Sequence, residues 1–226
     1  MHHIIIVAGG KGERMASTLP KQFLPLNGKP VLMHTIEAFQ HCTIAFNIVL
    51  VLHPEMHDYW QSLCEAHAFT TPLHLVSGGA TRYHSVCNGL NALTDAKATD
   101  IVLVHDAVRP FVSTHLINRV IAAAAAHGAA IPVVPVVDSL RLRHSNGHST
   151  ALDRSHYCAV QTPQAFRLEL LRRAYEQPFC KKFTDDASVV EALGTHIALT
   201  EGEVHNFKLT TPLDFALAQT LLAQED

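Results

Sequence analysis

Runs of aliphatic and β-branched residues recur along the chain at positions 4–7, 47–52, 73–76, 101–105, 131–137, 197–200 and 207–210. Several are apolar without alternation, which is how strands covered on both faces read, and the segments between them at about 31–41, 55–68, 85–93 and 114–127 suit crossover helices. The pattern predicts an α/β fold, a Rossmann-like, doubly wound and mostly parallel sheet. Ligands in such sheets sit at the carboxyl ends of strands, so the residues just after each strand are where chemistry is sought. One stretch departs from this rhythm. Between Asp138 and Arg154 lie three arginines, two aspartates, two histidines and the turn dipeptide Asn146-Gly147, predicting a projecting β-hairpin arm. Leu140, Leu142 and Leu152 recur along it, which favours an element exchanged between subunits over a mobile loop.

Composition narrows the class. With 226 residues, 48% hydrophobic and 16% charged, the chain has enough apolar surface to form one domain spanning 1–226. Seventeen basic against 20 acidic residues leave a net charge of -3, which argues against a nucleic-acid partner, so any anion site must be local. The longest apolar candidate, 117–137, is broken by Arg119, His127, Pro132 and Pro135, so no membrane span is expected. The apolar run at 4–7 is too short for a signal-peptide core, and a cytoplasmic protein is expected. Five widely spaced cysteines indicate neither a disulfide framework nor a zinc site, and they read as small buried hydrophobes.

The first strand runs into Ala8-Gly9-Gly10-Lys11-Gly12-Glu13-Arg14, where glycines let backbone N–H groups approach a phosphate. Neither the dinucleotide fingerprint nor a Walker loop fits this spacing. Lys11, Arg14 and Lys21 follow closely in a chain that is acidic overall, and polyphosphate is the natural ligand. The fourth strand ends in His105-Asp106-Ala107-Val108-Arg109. Asp106 is placed to hold a divalent cation or to pair with Arg109, and Arg109 to meet a phosphate or fix the loop. His105 should point to the opposite face, in a structural role. Gly78-Gly79-Ala80-Thr81-Arg82-Tyr83-His84-Ser85 is a second glycine turn, suited to a base or ribose and equally to helix capping. Thr184 reads as the N-cap of a helix from Asp185, and Thr211-Pro212 as another helix start. Lys208, amid strand-like neighbours, needs a carboxylate or phosphate partner.

Taken in order, Val7-Ala8-Gly9-Gly10-x-Gly12-x-Arg14, Pro20-Lys21-Gln22-Phe23, Gly78-Gly79-x-x-Arg82-x-x-Ser85, Asp106-Ala107-x-Arg109-Pro110, Asp153-Arg154, Gln161-Thr162-Pro163-Gln164, Thr184-Asp185 and Lys208-Leu209-Thr210 resemble the 2-C-methyl-D-erythritol 4-phosphate cytidylyltransferases. The likeness covers essentially the whole chain, and the ribitol-5-phosphate cytidylyltransferases are its near alternative. It implies a single nucleotidyltransferase domain with the nucleotide-diphospho-sugar transferase fold, acting on CTP and a polyol phosphate. Arg14, Lys21 and Lys208 would be the catalytic cations, and Ala8, Gly9, Gly10, Gly12, Gly79, Ala80, Ser85 and Asp106 would hold the nucleotide. Arg109, Ser139, Arg154, Thr162, Thr184 and Lys208 would hold the polyol phosphate, with Mg²⁺, or else Mn²⁺, at Asp106. The arm, about 138–157, would come from the partner of a homodimer. Three positions depart from the family pattern: the Ala8-Gly9-Gly10 spelling, Ala80 where an acidic residue is common, and Ser139 where threonine is usual.

Overall fold

Along β1 (His2–Ala8) successive side chains enter different cores: Ile4 and Ile6 pack on one face of the sheet and Ile5 on the other, all fully buried. This is why the run is apolar at every position. The structure, a computed structural model, describes residues 1–9 and 19–223. After a two-residue hairpin, β2 (Pro25–Leu26) and β3 (Lys29–Pro30), turned by Asn27 and Gly28 at positive φ, the chain alternates helix and strand. The alternation is α1 (Val31–Gln40), β4 (Phe46–Leu52), α2 (His57–Ala66), β5 (His74–Ser77), α3 (Arg82–Asn91), β6 (Ile101–Asp106), α4 (Thr114–His127) and β7 (Ala129–Pro135).

The arm follows as β8 (Leu140–Arg143) and β9 (Ser149–Leu152), paired from Leu140↔Leu152 to Arg143↔Ser149 and closed by Gly147 at φ 84°. Then come β10 (Cys158–Val160), β11 (Gln164–Arg167), α5 (Leu168–Tyr175), α6 (Asp186–Glu191), β12 (Ala198–Glu201) and α7 (Pro212–Leu222). The main sheet runs β10-β7-β11-β6-β1-β4-β5, with β12 also on β7. β5, β4, β1 and β6 are parallel, β12 is parallel to β7, and β10 and β11 are antiparallel to their neighbours. Leu32 and Ile36 of α1, Trp60 of α2 and Leu116 and Val120 of α4 cover one face. Val86 and Leu90 of α3, Leu171 of α5 and Val189 of α6 cover the other. The sheet is doubly wound, as the hydropathy pattern predicts.

α4 shows how local sequence sets an element. The Ser113 hydroxyl accepts from Leu116 N at 3.0 Å, residues 116, 117, 120, 121 and 124 turn inward, and Gly128 ends the helix at φ 90°. Other expectations change. Residues 207–210 form no strand; the segment lies along the loop after β6, where Leu209 N donates to Val108 O at 2.9 Å. With no partner strand its apolar residues, Leu209 among them, join a small core with α7. β7 begins two residues before the apolar run at 131–137 indicates, because Ala129 and Ala130 pair with β11 despite low strand propensity. Of the five cysteines, Cys158 and Cys180 are exposed, so the reading of all five as buried hydrophobes does not hold. Among the described residues, no helix is long and apolar enough to cross a membrane.

Candidate active site

The carboxyl ends of β1, β4, β5 and β6 open into a cleft of about 800 Å³. Ala8 and Gly9 form one side, and Gly79 to Arg82 with Ser85 form another. Lys21 reaches the cleft from the short 3-10 turn Lys21–Phe23. That turn is tied to β1 by Gln22, whose buried Nε2 donates to Ala8 O at 2.7 Å. Gly79 is required where it stands: a Cβ there would lie 2.4 Å from His84 Cβ. The Ser85 hydroxyl accepts from Gly79 N at 3.1 Å and donates to Thr81 O at 3.0 Å, so it shapes the glycine turn that it lines.

Asp106 is the centre of charge. Its Oδ2 meets Lys208 Nζ at 3.0 Å and Arg109 Nε at 3.3 Å, and its Oδ1 lies 3.8 Å from Arg82 Nε. Burial alone would raise its pKa, but Lys208, Arg82 and Arg109 together hold it well below the usual carboxylate range. Lys208 thus has the carboxylate partner its surroundings demand, while its side chain stays 43% exposed to the cleft. Arg82 gives both terminal nitrogens to Asp186, at 3.0 and 2.6 Å. Burial works against its charge, and Asp186 more than offsets this. Among the described residues, four cations, Lys21, Arg82, Arg109 and Lys208, therefore stand in or behind the cleft wall with two carboxylates, Asp106 and Asp186, a local positive excess within an acidic chain.

Behind Asp106 a hydrogen-bond chain fixes the loop. Arg109 O can only accept, so His105 Nε2 donates to it at 3.0 Å, and Nδ1 accepts from the Thr162 hydroxyl at 3.0 Å. Thr162 Oγ1 in turn accepts from Asp106 N at 3.1 Å. His105 is fully buried and stacks edge-on against Phe39, on the face opposite Asp106, as alternation requires. Burial lowers its pKa to about 4, so the ring is neutral.

Residues 2–224 match the family model for 2-C-methyl-D-erythritol 4-phosphate cytidylyltransferase. The chain belongs to this family. It is 52% identical over 219 residues to the 2-C-methyl-D-erythritol 4-phosphate cytidylyltransferase of Bacteroides thetaiotaomicron, covering 97% of this chain and 98% of that one. The Porphyromonas gingivalis protein of the same name is 48% identical, with 97% of each chain covered. Among solved structures, the 4-diphosphocytidyl-2C-methyl-D-erythritol synthase of Anaerococcus prevotii matches with a TM-score of 0.83 at 27% identity, covering 98% of this chain and 96% of that one. The Thermus thermophilus cytidylyltransferase matches at 0.75 and 34%, covering 99% and 100%.

The cytidylyltransferase positions named from the sequence divide into groups. Ala8, Gly9, Lys21, Gly79, Ala80, Ser85, Asp106 and Lys208 meet in the cleft. Gly10, Gly12 and Arg14 lie outside the described residues. Arg109 and Thr162 stand behind the wall: the Arg109 guanidinium binds Asp106 and, at 2.8 Å, Asn206 O, which is the loop-fixing reading of that arginine. Thr184 is exposed and is not the helix N-cap; Asp185 takes that role, accepting from Ser188 N at 2.9 Å. The reciprocal bond, Asp185 N donating to Ser188 Oγ at 3.2 Å, completes a capping box one residue later than Thr184. Ser139 and Arg154 are exposed at the root of the arm, where Arg154 Nη1 donates to Val137 O. Neither lines this chain's cleft. The role of Arg82, in the second glycine turn, is not legible in the sequence, because its partner Asp186 is 104 positions away.

Proposed function

We propose that this protein joins CTP and 2-C-methyl-D-erythritol 4-phosphate into 4-diphosphocytidyl-2-C-methyl-D-erythritol, releasing pyrophosphate, as an isoprenoid-precursor enzyme. The observation that carries the reading is the cluster of Lys208, Arg109 and Arg82 around Asp106, facing the Ala8–Gly9 turn in a family member matched over nearly its full length. A phosphate oxygen of the polyol phosphate attacks the α-phosphorus of CTP. The new P–O bond forms as the bond to the β-phosphate breaks, and pyrophosphate carries away the electron pair. No proton or covalent enzyme intermediate is needed, so the protein's task is to align two anions and meet developing charge with fixed cations.

Lys21 and Lys208, with Arg14, supply those cations. The backbone at Ala8, Gly9, Gly79 and Ala80 and the rigid Ser85 turn shape the nucleotide side, and the family motif assigns Gly10 and Gly12 to the nucleotide as well. Asp106 holds Lys208 in place and offers Oδ1, which lies 3.8 Å from Arg82 Nε, to the ribose or a metal. Among the described residues, Asp106 is the single carboxylate lining the cleft, and no cluster of three metal-ligating side chains occurs. One carboxylate beside triphosphate oxygens suits Mg²⁺, with Mn²⁺ a substitute; the bound ion would neutralise the triphosphate. The exposed thiols of Cys158 and Cys180 suit a reducing compartment, and the enzyme is assigned to the cytoplasm.

Ser139 and Arg154 reach an acceptor only if the arm serves the cleft of a second copy, so the active form is a homodimer with exchanged arms. Thr184 completes the acceptor side with Arg109 and Thr162 bracing it from behind. Pyrophosphate release with CTP and Mg²⁺, offering 2-C-methyl-D-erythritol 4-phosphate and ribitol 5-phosphate in parallel, tests the activity. Turnover on the first alone is expected; turnover on ribitol 5-phosphate alone would transfer the mechanism to another acceptor. For the dimer, Arg154→Ala and Lys208→Ala proteins are mixed after dissociation. Exchanged arms leave one intact site per mixed dimer and restore roughly a quarter of wild-type activity; no recovery would place the arm on its own cleft.

A further inference from the structure

We infer that Arg82 is a positioning residue for the acceptor, clamping the Asp106 centre to the loop that carries Thr184. This rests on the cytidylyltransferase reading above. Arg82 opens α3 beside the Thr81 N-cap, and its guanidinium spans two carboxylates from different parts of the chain. Nη1 and Nη2 grip Asp186 at 3.0 and 2.6 Å, while Nε faces Asp106 Oδ1 at 3.8 Å. Asp186 is the first residue of α6 and is wholly shielded from solvent. Arg82 is the cation paired with it, and a carboxylate in that position needs one.

The far side of Asp186 is closed as well. Tyr175 Oη donates to Oδ1 at 2.6 Å, and the Tyr175 ring stacks on Tyr83, the neighbour of Arg82, with centroids 4.7 Å apart. Thr184 lies two residues before Asp186, in a loop with little freedom: its N–H donates to Ser188 Oγ at 3.0 Å, and Gln164 holds Asp185 and Ala187 at 2.8 and 2.9 Å. A two-pronged guanidinium fixes both distance and angle, which an ammonium cannot do. The Arg82 side chain is 31% exposed on the cleft wall, so the clamp borders the substrates without being sealed from them.

A clamp on the acceptor side and a purely structural ion pair differ in what they do to the two substrates. Steady-state kinetics of pyrophosphate release, varying CTP and 2-C-methyl-D-erythritol 4-phosphate separately, should show Arg82→Lys raising KM for the polyol phosphate about tenfold. KM for CTP should stay within about twofold. Equal rises in both, or no rise, would overturn the inference. Should Arg82→Lys not fold, Tyr175→Phe keeps the ring and removes only the hydroxyl that steadies Asp186; the same split, reduced to roughly threefold, is expected, and its absence counts equally against the clamp. Wild-type protein run alongside separates the two failures. A wild type that turns over while the variants show no split refutes the clamp alone, whereas a wild type without turnover refutes the cytidylyltransferase reading and takes the clamp with it.

Discussion

Asp106 and the arm are opposite physical settings within one chain. The Asp106 side chain is 12% exposed, has three cations within 4 Å, and sits on a backbone held by Thr162 and His105. Every residue from 141 to 151 is exposed, and the arm's hydrogen bonds run within the arm or to its root, as in Arg141 Nε to Ser149 Oγ at 2.8 Å. Charge that must meet a transition state is stabilising only if it is already in place, which a strand end buried under hydrogen bonds provides. An arm with Leu142 half exposed has no such frame within one chain.

The contrast is best broken at its charged centre. Lys208→Ala should lower kcat by about 10²- to 10³-fold, as loss of a fixed transition-state charge does. It should leave the fold intact, since the ammonium is partly exposed; a kcat within a few fold of wild type would remove Lys208 from the chemistry. The bracing behind Asp106 has a pH signature. The unfolded chain protonates His105 near pH 6.5 while burial lowers the folded pKa to about 4, so stability present above 6.5 is lost as pH falls toward 4. In full this amounts to roughly 3 kcal/mol. Urea midpoints at pH 7 and about pH 4.5 should therefore fall less in His105→Gln than in wild type.

Arg154→Ala tests the arm from the other side. It should cost about 1.5–3 kcal/mol in kcat/KM for the polyol phosphate with no change in thermal midpoint, because the side chain is exposed in one chain. A lowered midpoint without a kinetic change would reduce the residue to a local tie to Val137. The smallest effect belongs to Thr211, which does not line the cleft. Thr211→Ala removes the N-cap of α7 and should lower stability by about 1 kcal/mol in denaturant unfolding, leaving KM for both substrates unchanged.

Much of this was legible along the chain. β1, β4 and β6 announced themselves by unbroken apolar runs at 4–8, 48–52 and 101–104, α4 by the helical segment at about 114–127, and the arm by Asn146-Gly147 flanked by recurring leucines. Lys208 declared its need for a carboxylate or phosphate, and Asp106 supplies the carboxylate. The family motifs brought the cleft residues together before any coordinates. β10 and β11 were not legible, because they are short and pair antiparallel between strands distant in sequence.

What the amino-acid order determined by itself is therefore what depends on neighbours: periodicity, caps, turns, and which chemical groups stand at strand ends. The tertiary structure decided which of those groups line the cleft and which face each other. Thr162 and Arg109, marked for substrate by motif, turn inward to hold Asp106, and Arg82, whose role is not legible in the sequence, joins it to Asp186. The partners of a buried charge are selected by burial itself, which removes water as the alternative, and burial is a property of the assembled layers and not of any segment.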